Sequence, residues 1–209
     1  MSDLAPRLRR YLVTDARAGS VERLVEICRA ALDGGVTAIQ LRAKGWTDRQ
    51  LLDAAQSLGP FCRDSGALFI VNDRLDIALA AGADGVHLGI DDLPVAVARR
   101  LLGPEAVIGY SPDNDADRRT AEAAGANYLG IGPVYRTGTK LDAGDAIGLD
   151  GLRRVVSATR LPVIGIGGIT IEQAADVVNM GAVGVAVVGA IFFTADPTAT
   201  ARHLREVLP

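Results

Sequence analysis

Four short stretches set charged, amide or hydroxyl side chains beside one another: Gln40-Leu-Arg42-Ala-Lys44, Asn72-Asp73, His87-Leu-Gly89 followed by Asp92, and Thr137-Gly-Thr139-Lys140. Arg42 and Lys44 bring fixed positive charge, and a guanidinium matches a phosphate group through two parallel N–H bonds. Asp73 and Asp92 bring hard oxygen ligands of the opposite sign. Cations and carboxylates side by side suit a polyphosphate bridged by magnesium, because that metal takes few protein carboxylates and completes its shell with water and substrate oxygens. A second set consists of glycines: Gly165, Gly167 and Gly168 in GIGGI, and Gly189 directly after Val188. Glycine turns of this kind can hold a phosphate on backbone N–H groups and a helix start, although glycines also serve tight turns. The sequence thus offers two anion sites built by different devices.

These residues need a scaffold, and the hydrophobic pattern describes one. Short β-branched runs alternate with segments of helical period: Tyr11–Thr14, Thr37–Leu41, Leu68–Val71, Gly85–Leu88, Val107–Tyr110, Tyr128–Ile131, Val163–Ile166 and Val183–Val188. Between the first two, Val21, Leu24, Val25, Cys28, Ala31 and Leu32 form one apolar helical stripe. Thr47 with Gln50, and Thr170 with Gln173, fit the reciprocal capping pattern of helix starts. Eight strand–helix units in 209 residues predict a single-domain α/β fold over 1–209, a closed (β/α)8 TIM barrel, with an open doubly wound sheet as the alternative.

The even strands share a gapless pattern. GVTAIQLR from Gly35, GADGVHLG from Gly82, GANYLGIG from Gly125 and GAVGVAVV from Gly181 each open on a glycine able to end the preceding helix. Because strand residues alternate faces, Ile39, Val86, Leu129 and Val185 point towards the outer helices, while Gln40, His87, Gly130 and Ala186 face the interior. One step higher stand Arg42, Gly89, Gly132 and Val188. The small members of these layers predict a hollow that the polar members line. Taken singly, His87 also reads as a hydrogen-bonded core histidine and Arg42 as the partner of an interior carboxylate. The polar residues of the four opening stretches lie at or follow the C-terminal ends of strands, as does Ser111, and that end is where barrels carry their active sites.

Composition excludes several classes. With 22 basic against 25 acidic residues and 4% aromatics, the chain lacks the charge and stacking surface of a nucleic-acid binder. The apolar region from Leu161 to Phe193 is broken by Glu172, Gln173, Asp176 and Asn179, so it reads as strand, helix and strand and not as a membrane span. MSDLAPRLRR has no apolar signal core, which predicts a cytoplasmic protein with Cys28 and Cys62 reduced. Whether the chain forms a homo-oligomer is left open.

Taken together, QLRAK (40–44), VNDR (71–74), GVHLG (85–89) with Asp92, GPVYRTGTK (132–140) and IGGI (166–169) resemble the thiamine-phosphate synthase family, in order and over nearly the whole chain. That resemblance implies a (β/α)8 barrel that joins a hydroxymethylpyrimidine diphosphate to a thiazole phosphate with magnesium, releasing pyrophosphate. It implies that Arg42, Lys44, Asn72, Ser111 and Lys140 hold the diphosphate, with Arg42, Lys44, Ser111 and Lys140 acting on the leaving group. Asp73 and Asp92 would hold the metal, and Gln40 and His87 the pyrimidine. Thr137, Thr139, Gly168, Val188 and Gly189 would hold the thiazole phosphate. The chain departs from the pattern at Ile90, where a glutamine is usual, and at Gly189, where a serine is frequent. Thiazole tautomerases share the barrel but resemble a histidine at the place of Pro133; a barrel that binds phosphometabolites without turnover is the remaining alternative.

Overall fold

A computed structural model describes residues 4–138 and 144–209. Eight parallel strands pair in chain order: β1 (Arg10–Val13), β2 (Ala38–Leu41), β3 (Leu68–Asn72), β4 (Gly85–Leu88), β5 (Val107–Tyr110), β6 (Tyr128–Ile131), β7 (Val163–Ile166) and β8 (Gly184–Val187). β1 pairs with β8 as well as with β2, so the sheet closes into a barrel and has no free edge. The open-sheet alternative is excluded.

The pattern shared by the even strands has a physical basis. Gly35, Gly82, Gly125 and Gly181 all take left-handed backbone, with φ of 106, 62, 95 and 98°, a conformation that costs a residue with a Cβ. Two residues later the backbone N–H of Thr37, Asp84, Asn127 and Val183 reaches back to the carbonyl of Arg10, Phe69, Ile108 and Val163 on the preceding odd strand. In three of the four units the side chain returns the bond: Thr37 Oγ1 accepts from Arg10 N (3.0 Å), Asp84 Oδ2 from Phe69 N (2.8 Å) and Asn127 Oδ1 from Ile108 N (2.8 Å). Each pair fixes the register at which an even strand enters the sheet. Arg99 braces the same end, donating to the carbonyls of Gly103, Ala106 and Gly125 and to Asn127 Oδ1 at 2.6–2.9 Å.

Inside the barrel Tyr11, Val13, Ala38, Leu68, Ile70, Tyr128, Ile164 and Ala186 form one apolar cluster, and Leu8 plugs its lower end. Outside, α1 (Val21–Gly34), α2 (Asp48–Ser65), α3 (Leu75–Ala81), α4 (Val95–Leu102), α5 (Asp115–Ala123), α6 (Gly148–Ala158) and α7 (Ala174–Asn179) cover the outward strand residues, followed by α8 (Gly189–Phe192) and α9 (Pro197–Val207). α9 closes the ring against α1, where Gly34 leaves no room for a Cβ beside Ala201. The Thr47/Gln50 box caps α2 as expected. At Thr170/Gln173 the reciprocal bonds also form, but they close a turn, and α7 begins one residue beyond Gln173. Cys28 and Cys62 are buried free thiols. Among the described residues no helix is long and apolar enough to cross a membrane.

Candidate active site

A cavity of about 1020 Å³ opens at the C-terminal ends of the strands. Gln40, Arg42, Lys44, Asn72, Asp73, His87, Asp92, Ser111, Thr137, Gly168, Val188 and Gly189 all border it. Thr139 and Lys140 lie outside the described residues.

One edge of the cavity, above β2 to β5, is charged. Arg42 is held through its backbone by a side chain from β1's end: buried Thr14 Oγ1 accepts from Arg42 N (2.8 Å) and donates to Arg42 O (2.9 Å), so the hydroxyl continues the ladder one step past the strands. Asp15 follows, its carboxylate held below the usual range chiefly by hydrogen bonds from Arg17, with the charge of Arg42 adding to the effect. Asp73 is the sole described residue other than glycine with positive φ (61°), a conformation aspartate tolerates better than most. Its N–H bonds to His87 O (2.9 Å), and Arg74 anchors the turn by reaching Asp48 on α2 (2.6 Å) and Asp76 on α3 (2.9 Å). The turn therefore aims the Asp73 carboxylate at the cavity, where Lys44 Nζ pairs with it.

Asp92 arrives from the β4 side with Oδ2 accepting from Gly89 N (2.6 Å). Burial, and then the Asp73 carboxylate hydrogen-bonded beside it, push Asp92 above the usual carboxylate range. Two crowded carboxylates, one already sought by an ammonium group, are an arrangement that a further cation would relieve. A pair of hard oxygen donors fits magnesium, which draws its other ligands from water and phosphate.

Below the rim runs a buried hydrogen-bond chain. Gln40 Nε2 lies 3.0 Å from Tyr11 Oη, which lies 2.8 Å from Tyr128 Oη; Tyr128 Oη is 3.0 Å from His87 Nδ1, and His87 Nε2 is 2.9 Å from Ser111 Oγ. Burial lowers the His87 pKa to about 4, so the ring is neutral at physiological pH. Burial raises both tyrosines far above their ordinary value. Both ring nitrogens of His87 are thus engaged within the protein. The small interior residues expected to leave a hollow, Gly89, Gly130, Gly132 and Ala186, do border the cavity. A Cβ at Gly130 would lie 3.0 Å from His87 Cε1 and 3.1 Å from Ser111 Oγ, and one at Gly132 would overlap Ile166 O at 2.0 Å. These two glycines border the cavity and also let His87, Ser111 and the β7 backbone pack close. Tyr11, Tyr128 and Thr14 were absent from the residues picked out by sequence. Tyr128 carries a readable signal, being the one bulky member of an interior position otherwise filled by Ala38, Gly85 and Gly184.

The other edge, above β7 and β8, is built of backbone. Gly167 and Gly168 take φ of 93 and 67°, and a Cβ on Gly168 would stand 2.4 Å from Arg136 O. The loop after β6 lies directly against them: Val134 N donates to Ile166 O and Tyr135 N to Gly167 O, both at 2.9 Å. The returning chain closes the same loop through Ile147 N to Pro133 O (2.9 Å) and Gly148 N to Val134 O (3.0 Å). The start of the loop is therefore pinned over the glycine edge, and the chain returning at Ile147 and Gly148 is tied to that start, which a mere connector would not require. Gly189 opens α8, and among the described residues only Phe193 comes within contact distance of a Cβ there, at 3.6 Å.

The sequence profile described as thiamine monophosphate synthase matches residues 10–191. The chain belongs to this family. It is 50% identical over 198 residues to the thiamine-phosphate synthase of Moorella thermoacetica, covering 95% of this chain and 94% of that one. It is likewise 50% identical over 195 residues to the thiamine-phosphate synthase of Laribacter hongkongensis, covering 93% and 92%. A solved thiamine phosphate pyrophosphorylase from Pyrococcus furiosus superposes with a TM-score of 0.88 at 38% identity, over 99% of this chain and 98% of the other. The resemblance read from five motifs extends over the whole barrel.

Proposed function

We infer that the chain is a thiamine-phosphate synthase, a transferase that joins 4-amino-2-methyl-5-hydroxymethylpyrimidine diphosphate to 4-methyl-5-(2-phosphooxyethyl)thiazole, giving thiamine phosphate and pyrophosphate. The observation that carries this reading is a single cavity with two chemically different edges, cations and carboxylates above β2 to β5 and glycine backbone above β7 and β8. Two anionic substrates call for such a division.

In this reaction the thiazole nitrogen lone pair forms a C–N bond to the pyrimidine methylene carbon, and the C–O pair leaves with the diphosphate. The exchange itself moves no proton, which agrees with a rim rich in fixed charge and with a histidine kept neutral. Catalysis then rests on stabilising the departing charge and on holding the nucleophile in line. Arg42, Lys44, Asn72 and Ser111 are suited to bind diphosphate oxygens, and Lys140 joins them by the family resemblance. Asp73 and Asp92 would hold magnesium, which supplies charge neutralisation to the diphosphate when bound. Gly168, Val188 and Gly189 are suited to receive the thiazole phosphate on N–H groups, with Thr137 and Thr139 above it, and Gln40 faces the pyrimidine. Purified protein incubated with both substrates and magnesium should form thiamine phosphate, and omission of any one of the three should abolish it; product that persists without the thiazole phosphate, or no product from the full mixture, would refute the reading.

A further inference from the structure

The chain from Gln40 to Ser111 contains four links, and each link takes one proton. The protons are few: Tyr11, Tyr128 and Ser111 own one each, and a neutral imidazole owns one. Gln40 presents its amide nitrogen to Tyr11, so the first link is filled from the glutamine. Tyr11 is fully buried, and its hydroxyl proton then belongs in the link to Tyr128. By the same count the Tyr128 proton lies towards His87 Nδ1, and the imidazole proton sits on Nε2 towards Ser111. Ser111 accepts from the ring, and its own proton is left to the cavity that it borders.

We propose that Tyr128 is a positioning residue: by donating to His87 Nδ1 it holds the ring in the Nε2–H tautomer and so turns Ser111 into a hydrogen-bond donor to the bound anion. The opposite polarity would have Ser111 donate to the ring and offer only lone pairs to the cavity, which repels an anionic oxygen. Tyr128 is fully buried and is not among the residues bordering the cavity, so its influence reaches the substrate through His87. Space for the contact is reserved by Gly109, where a Cβ would lie 2.2 Å from Tyr128 Cζ and 2.4 Å from His87 Nδ1. The assignment deepens the reading of Ser111 as a diphosphate contact and rests on it for its kinetic consequence; the tautomer is independent of that reading.

The test is nitrogen NMR of the histidine rings in the full chain, with His87 distinguished from His203 by a His87→Gln sample, joined to steady-state kinetics of Tyr128→Phe. Wild-type His87 should be protonated at Nε2 and bare at Nδ1. In Tyr128→Phe the Nδ1–H form should gain population, and kcat should fall about tenfold or more with KM for the thiazole phosphate within about twofold, as for loss of one donor to the leaving group. Protonation at Nδ1 in the wild type overturns the proposal even if the variant does not fold. A folded Tyr128→Phe with unchanged tautomer and kcat overturns it as well. A wild type that fails to turn over the pyrimidine diphosphate refutes the functional reading instead, and leaves the tautomer measurement to decide this one.

Discussion

Acid should weaken the fold through a single imidazole. His87 has an ordinary value of 6.5 in an unfolded chain and about 4 in the barrel, where burial opposes the charged form. Protonating it would also put a second donor on Nδ1, against a tyrosine hydroxyl that already points there. Since the folded value is depressed, the stabilisation is complete above pH 6.5 and is lost as pH falls towards the folded value. The gap corresponds to about 3 kcal/mol, or a fall of roughly 10 °C in midpoint for a domain of this size. Urea unfolding at a series of pH values between 7.5 and 4.5, wild type against His87→Gln, reads the effect directly. The substitution should lower stability at pH 7.5, where the ring's two bonds are lost, yet flatten the dependence on pH by most of that amount. The carboxylates held below their usual range, among them Asp15 and Asp115, act at lower pH and are common to both proteins. Parallel curves for the two proteins would refute the argument that His87 is buried neutral.

Three further outcomes are expected. Asp73→Asn, which keeps a side chain tolerant of left-handed backbone, should fold with wild-type stability within about 1 kcal/mol while losing most magnesium-dependent turnover, whereas normal activity at ordinary magnesium would remove Asp73 from the metal site. Arg99→Met should cost about 3 kcal/mol in urea unfolding, because several carbonyls lose a charged donor, with kcat unchanged at a temperature where the variant is folded. Lys140→Ala should lower kcat by at least about tenfold without a change in unfolding midpoint, since a lysine acting on the leaving group contributes where negative charge develops; unaltered turnover would return that residue to the surface.

Strand positions were legible because interior and exterior residues alternate and because glycines mark each return to the sheet. The differences at the ends have local causes. Thr37 and Val183 look like strand residues by type, yet they serve as the junction before β2 and β8, pairing with Arg10 and Val163. The charged rim could be listed from sequence since polar residues after apolar runs stand out. Of the relay's two tyrosines only Tyr128 stands out, as the bulky member of its interior position; their pairing was not legible, because both are ordinary strand formers and meet only when β1 and β6 face each other across the barrel. Gly130 and Gly132 border the cavity as the interior pattern implies, while their neighbours show what the pattern does not, that His87 and the β7 backbone stand where a Cβ would be.

The division of the cavity into two anion edges is tested most directly by calorimetric titration of each ligand separately, magnesium pyrophosphate and the thiazole phosphate, into wild type, Arg42→Ala and Gly189→Asp. Among the described residues Gly189 has room for the aspartate, with a Cβ in ordinary contact with Phe193 alone. Arg42→Ala should weaken magnesium pyrophosphate at least about tenfold and leave the thiazole phosphate within about twofold; Gly189→Asp should do the reverse, by placing a negative charge where a phosphate is received. Equal losses of both ligands in either variant would contradict the account.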